Sequence, residues 1–241
     1  MAFTRNLGLC FSSLYILACA SAPTRTPEKP AMQDVTVDHV IVGIADLEEG
    51  LRLLTQLAGV EPQRGGQHPG RGTQNALLSL GPHTYLELIA PVGEPSEEMK
   101  FLADLHELTP IGWAVGTKDL DATKSRLEGA GFRVSAPRDG SRVRPDGQVL
   151  QWRTAALEDV PGDLTPFLIE WSARTPHPAT TSPGGCTLES VEIVGPEVER
   201  LAKLVTELRL GLVVHDGTAP QLSLTLACPA GRITLGSPDR P

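Results

Sequence analysis

The chain has 241 residues, 40% of them hydrophobic, 21% charged and only 4% aromatic, with a formal net charge of −8. That length holds one large domain or two small ones, and 24 glycines with 21 prolines point to short elements joined by many turns. The acidic balance, with no basic patch in the sequence, excludes a nucleic-acid partner, because neutralising phosphates takes clustered Lys and Arg.

Residues 1–18 read as a signal peptide. Arg5 gives a short positive start, and Leu7 to Ala18 form an apolar run too short for an ordinary spanning helix, which needs roughly 20 such residues. The run ends Ile16-Leu17-Ala18-Cys19, which resembles the lipobox of bacterial lipoproteins. The resemblance implies cleavage before Cys19, a diacylglyceryl group on its sulfur and a membrane partner reached through that lipid anchor. Because Ala20 follows rather than aspartate, it also implies an outer-membrane address facing the periplasm in a Gram-negative host. Ordinary cleavage after Ala20 or Ala22 is the alternative, since the same small residues satisfy an A-x-A site. Residues 19–33 form a tether rich in Pro and Thr. With Cys10 and Cys19 in the signal, Cys186 and Cys228 remain in the mature chain, either paired in an oxidising compartment or buried as free thiols. There is no C-x-x-C to support a zinc ribbon or a thioredoxin-type site.

The first module spans residues 34–95. Val35 to Ile44 is dominated by β-branched residues, as a buried strand requires. Asp46 then stands at a helix N-cap with Glu48 and Glu49 in the first turn, and Leu47, Leu51, Leu54 and Leu57 recur at helical spacing until Gly59. Gln63 to Asn75, rich in glycine, reads as a loop or hairpin end, and Ala76 to Leu80 and Thr84 to Ile89 as strands. A short connecting helix is predicted from Glu97 to His106. The plan restarts in residues 109–173: a strand from Ile111, a helix opened by Asp119-Leu120-Asp121, a strand at Gly131 to Ser135, a turn at Pro137 to Gly147, and strands at Val149 to Ala155 and Pro166 to Trp171. Arg174 to Gly185 is a loop. Residues 186–241 repeat the order in eroded form, with a strand at Leu188 to Val194, a helix at Glu197 to Leu208 and a hairpin of Leu222 to Ala227 with Arg232 to Leu235. One order of elements three times over is an internal repeat.

Asp38-His39-Val40, the Asp46-Leu47 helix start, Gly66, His68, Pro69, Gly70, Gly72, Thr73 and Asn75, then Leu77, Leu78, Leu80 and Gly81, and the Tyr85 to Ile89 strand together resemble the vicinal oxygen chelate superfamily, in particular its glyoxalase-like branch. Gly112-Trp113-Ala114, Pro166 to Trp171 and His177-Pro178 continue the resemblance. It implies an α+β fold of paired βαβββ modules whose cupped mixed sheets share a small-molecule pocket, and the third, partial module that the repeat adds is placed to complete the sheet, cap an exposed edge or mediate a homodimer. It also implies a divalent metal (Zn, Fe or Mn) held by the first and last strands of each module. By position these are His39, Glu87 and Glu170, with Gly112 at the fourth place, where glycine has no donor. His68 would replace it if its loop folds inward. Three such ligands leave open positions suited to a metal-dependent lyase, isomerase or dioxygenase, with Glu170 as the catalytic carboxylate. A binding or sequestering protein without chemistry is the competing class, as is the case for bleomycin-resistance proteins of the superfamily.

Alternation along the strands separates pocket from core. Leu86 and Leu88 should face the helix, which leaves Glu87 with Tyr85 and Ile89 on the pocket side. A glutamate among such neighbours needs a partner, whether metal, substrate or one of Arg64, Arg71 and Arg153, and the same holds for Glu170. His68, Asn75, Tyr85, Trp113 and Trp171 are the remaining pocket candidates. His83, His106, His177 and His215 read as surface or turn residues.

Overall fold

A computed structural model describes residues 35–68, 70–144, 146–160 and 164–236, together with the first two residues. The signal segment, Cys19, the tether, Pro69 and the chain beyond residue 236 lie outside the described residues. The first module consists of β1 (Val35–Gly43), α1 (Leu47–Ala58), β2 (Gln63–His68), β3 (Thr73–Ser79) and β4 (Tyr85–Pro91). A 3₁₀ turn, Glu97–Asp104, leads to β5 (Thr109–Thr117), α2 (Leu120–Gly129), β6 (Arg138–Val143), β7 (Val149–Ala156) and β8 (Phe167–Trp171). The short α3 (Pro178–Thr181) precedes β9 (Thr187–Gly195), α4 (Glu199–Glu207), β10 (Val213–Asp216), β11 (Gln221–Cys228) and β12 (Gly231–Gly236).

Both long helices begin where the sequence places a carboxylate. Asp46 accepts the Glu49 N–H and Asp119 accepts the Ala122 N–H, each satisfying a first-turn donor that the helix cannot. The first two modules join into one eight-stranded sheet, β2-β3-β4-β1-β5-β8-β7-β6. Within each module the first and last strands run parallel, β1 with β4 and β5 with β8, and antiparallel β1–β5 pairing makes the seam between modules. The sheet curls until its edges β2 and β6 come into contact, so one face is a cup and the other carries the helices.

Some elements differ from the sequence reading. The predicted turn around Pro137 to Gly147 contains the edge strand β6, while the predicted strand at Gly131 to Ser135 contributes only the isolated Val134–Leu157 bridge. The β6 sequence is polar because it is an edge strand with exposed positions, which removes the apolar alternation that marks interior strands. The third segment keeps the element order of a βαβββ module but not its topology. Its sheet runs β10-β9-β11-β12, and β9 pairs in parallel with the second strand instead of the last. Leu222, Leu224 and Leu226 are wholly buried, which sets β11 in the interior of that sheet next to β9.

This second sheet covers the helix side of the seam, where β11 and β12 meet β5 and β12 meets α1. One continuous core results, running from Val40, Leu54 and Leu88 through Trp113 and Leu127 to Leu204 and Leu224. Cys186 and Cys228 form a disulfide that ties the entrance of β9 to the end of β11 across a sequence separation of 42.

Candidate functional site

The cup encloses a cavity of about 730 Å³ between the two modules, with His39, His68, Asn75, Tyr85, Glu87 and Trp171 in its wall. The alternation expected of β4 holds: Tyr85, Glu87 and Ile89 line the cavity, whereas Leu86 and Leu88 enter the core. His68 arrives at the end of β2 and Asn75 from β3, on the hairpin that the glycine-rich stretch forms.

Hydrogen bonding orients both imidazoles. A carboxylate can only accept, so the 2.7 Å contact between His39 Nδ1 and Asp38 Oδ1 puts a proton on Nδ1 and turns Nε2 toward Glu87. His39 Nε2 lies 3.7 Å from Glu87 Oε2. The Asn75 amide donates to Glu87 Oε1 at 2.6 Å and faces His68 Nε2 at 3.4 Å. His68 Nε2 is therefore an acceptor, its Nδ1–H is given to Thr73 Oγ1 at 3.0 Å, and Nε2 stands 3.6 Å from Glu87 Oε1. Two imidazole Nε2 atoms thus face the two oxygens of one buried carboxylate. Burial alone would raise the Glu87 pKa, but His68, His39, the Asn75 amide and Arg142 outweigh it and hold the carboxyl below its usual range. Burial, reinforced by Arg142, Arg71 and His39 against the pull of Glu87, lowers His68. Burial also pushes the Tyr85 phenol well up, helped by Asp38 and Glu87. Tyr85 stacks on the His39 ring at 4.7 Å, and Phe167 meets that ring edge-on at 5.5 Å.

Asp38, which the sequence reading passed over, is the centre of a second network. Its Oδ2 accepts from Trp171 Nε1 at 3.0 Å and from His177 Nε2 at 2.9 Å, while Ala179 N–H donates to His177 Nδ1. Burial raises Asp38, yet the bonds from His177 and His39 prevail and its carboxyl sits below the ordinary aspartate value. Neighbours on a regular strand point to opposite faces, but β1 shifts register against β5 between Val37 and His39, so Asp38 occupies a bulge. Gly116 on β5 gives it room, since a Cβ there would lie 2.9 Å from Asp38 Oδ2. His177 is accordingly a half-buried part of the site rather than a surface residue, and its segment packs α3 against β3. The D-H pair and the H-P pair were the available signals. Only the bulge connects them.

Two other expectations change. Glu170 does not face the cavity: Phe167, Ile169 and Trp171 do, and Glu170 lies on the opposite face of β8, paired with Arg153 and 3.4 Å from the Leu120 N–H at the start of α2. Arg153, one of the non-metal partners considered for it, is the one it takes. Trp113 is a core residue, 1% exposed on the helix side, with its indole N–H on Leu164 O at 2.9 Å. Gly112 stands opposite Ile41 across the seam and supplies no side chain.

His39, His68 and Glu87 fit a divalent cation by type, with two imidazoles oriented by outer hydrogen bonds and one carboxylate. Among the described residues no three His, Cys, Asp or Glu side chains are already closed into a metal-binding group. The Asn75 amide stands where closure would occur, between His68 and Glu87.

Parallel outer strands in each module, a shared cup and donors on the inward strand faces define the vicinal oxygen chelate class. The profile of the glyoxalase-like domain family matches residues 37–209, and the chain belongs to that family. A solved hypothetical protein from Staphylococcus aureus has the same fold, with 17% identity, a TM-score of 0.56 and coverage of 86% of each chain. An ethylmalonyl-CoA/methylmalonyl-CoA epimerase of Cereibacter sphaeroides is 29% identical over 116 residues, which are 45% of this chain and 83% of that one. The methylmalonyl-CoA epimerase structure from Mycobacterium tuberculosis aligns over 61% of this chain and 95% of its own, at 25% identity and a TM-score of 0.47.

Proposed function

We propose that the cup is an active site in which His39, His68 and Glu87 hold a divalent cation (Zn, Fe or Mn) for an isomerase- or lyase-type proton transfer on a small oxygenated compound. The observation that carries this reading is the pair of Nε2 atoms 3.7 and 3.6 Å from one buried carboxylate, each ring held from its other nitrogen by Asp38 or Thr73: a donor set of the type that ligates a divalent cation. The similarity to an epimerase supports the reaction class. A bound cation would supply Lewis-acid polarisation of a carbonyl oxygen. The chain itself fixes both rings through Asp38 and Thr73, shields the site with Tyr85 and Phe167, and keeps Glu87 ionised. Glu170 has no role here.

Protein purified without chelator should carry near-stoichiometric metal that His39→Ala, His68→Ala and Glu87→Ala each lose. A metal-free wild type whose melting temperature ignores added Zn, Mn and Fe would sink the reading. The Asn75 amide, which already serves both Glu87 and His68, favours that second outcome and with it a non-catalytic binding or sequestering protein.

Export completes the proposal. The Cys186–Cys228 disulfide suits an oxidising compartment, and the Ile16 to Cys19 sequence suits lipid anchorage at the outer membrane. Cys19→Ser should release the protein from the membrane fraction, and a wild type found there free of membranes would refute the anchor.

A further inference from the structure

We infer that Arg142 anchors the substrate, and that the substrate is a carboxylate with an aromatic or branched apolar body. The inference rests on the cavity being the active site. Arg142 belongs to β6 of the second module, and its stem passes beneath Gly66 of β2, where the two sheet edges meet. Any side chain at Gly65 would collide with the Arg142 head and the Asn75 carbonyl, so the glycine pair leaves the passage open. The residue is only 4% exposed, yet no carboxylate lies in ion-pair contact with it among the described residues, and its one side-chain hydrogen bond there runs from Nη1 to Asn75 Oδ1 at 2.7 Å.

A guanidinium carries five N–H donors in a planar fork. Among the described residues Ser96 Oγ is the sole buried side-chain N or O atom lacking a hydrogen-bond partner, so the donors that Asn75 does not engage are reached by solvent. Arg142 lines the cavity alongside His39, His68 and Glu87. Its nearest internal anion, Glu87, is reached only through the Asn75 amide, so the rest of the fork is left for an anion from solution, and its planar geometry matches a carboxylate.

The rim agrees. Arg71, on the turn after β2, and Arg138, at the start of β6, both line the cavity, are exposed, and make no side-chain hydrogen bond or ion pair among the described residues. Of the acidic residues at the rim, Asp139 is registered opposite Arg153 on the outer face, which leaves Glu158 to oppose them. The wall that β7 and β8 form next to β6 is apolar: Trp152, Phe167, Ile169 and Trp171, with the two indoles 5.3 Å apart. An acid seated with its carboxylate on Arg142 would lay its body on this wall, beside the His39 and Glu87 side chains.

Phenylacetate and its neutral isostere phenylacetamide separate charge from shape. Titration calorimetry should show the acid binding wild type at least about tenfold more tightly than the amide. Arg142→Lys, which keeps the charge and loses the fork, should cost about tenfold in acid affinity. Arg142→Gln should abolish the preference for acid over amide, with circular dichroism confirming the fold. Equal binding of acid and amide, an Arg142→Lys protein that binds the acid as wild type does, or inorganic phosphate displacing the acid at lower concentration would each overturn the inference. Mn²⁺ uptake measured on the same samples keeps the readings apart. Uptake without acid binding defeats this inference alone, and acid binding without uptake defeats the cation site alone.

Discussion

The last strands of the two modules, β4 and β8, occupy matching places beside their parallel partners but present opposite chemistry. On β4 the inward residues are Tyr85, Glu87 and Ile89, and on β8 they are Phe167, Ile169 and Trp171. Glu87 lies opposite Ile41 of β1, and Phe167 opposite Ala114 of β5. A glutamate exists in each strand, yet the one in β8 is a single residue out of phase and so belongs to the outer face, with Arg153. In a strand, one step decides between cup and core. The first module therefore supplies the polar donors and the second supplies the apolar wall with its arginine.

The largest effect should come from the second module's core side. Trp113→Ala empties a fully packed site and should cost about 3–5 kcal/mol in urea unfolding, whereas Trp171→Ala, on the cup side, removes one hydrogen bond from Asp38 and should cost about 1–3 kcal/mol. A reversed order would break the assignment of the two tryptophans to core and cup. Glu170→Ala is gentler, since its pair with Arg153 is partly exposed. A loss of about 1 kcal/mol or less is expected, with metal content equal to wild type, and a drop in bound metal would restore Glu170 to the site.

The smallest effect concerns the contact of the third segment with the second module. Burial raises Asp159, but the Arg133 N–H and the Arg200 guanidinium outweigh it, so its folded carboxyl lies below the ordinary aspartate value. A lowered folded value gives stability that is present above the unfolded pKa of about 3.9 and is lost as pH falls through the folded one. The gap in unfolding midpoint between wild type and Asp159→Asn should therefore be widest near neutrality and close in acid. A gap that widened in acid would contradict it.

Periodicity made α1 and most interior strands of the first two modules legible, because each buries one regular face, whereas α2 was marked by its Asp119-Leu120-Asp121 start. It failed at β6, a polar edge strand, and it could not reveal that the third segment pairs its strands in a different order, since element order says nothing about which strands become neighbours. At the site, alternation placed Glu87 with Tyr85 and Ile89, and the motif grouped His68 with Asn75. The same alternation applied to the Phe167 to Trp171 strand would have set Glu170 apart from its three aromatic and aliphatic neighbours. Asp38 and His177 were out of reach for a different reason: a bulge and a contact 139 residues apart in sequence join them, and neither leaves a local pattern.

The antiparallel seam of β1 with β5 has a consequence for how this protein can change. Were the cup assembled from two identical subunits about a twofold axis, every substitution in it would occur twice, and a residue good for one wall would be imposed on the other. Covalent succession of the halves lifts that constraint. One half can lack donors, as at Gly112 and Phe167, and carry a buried arginine without forfeiting the polar groups its sibling holds.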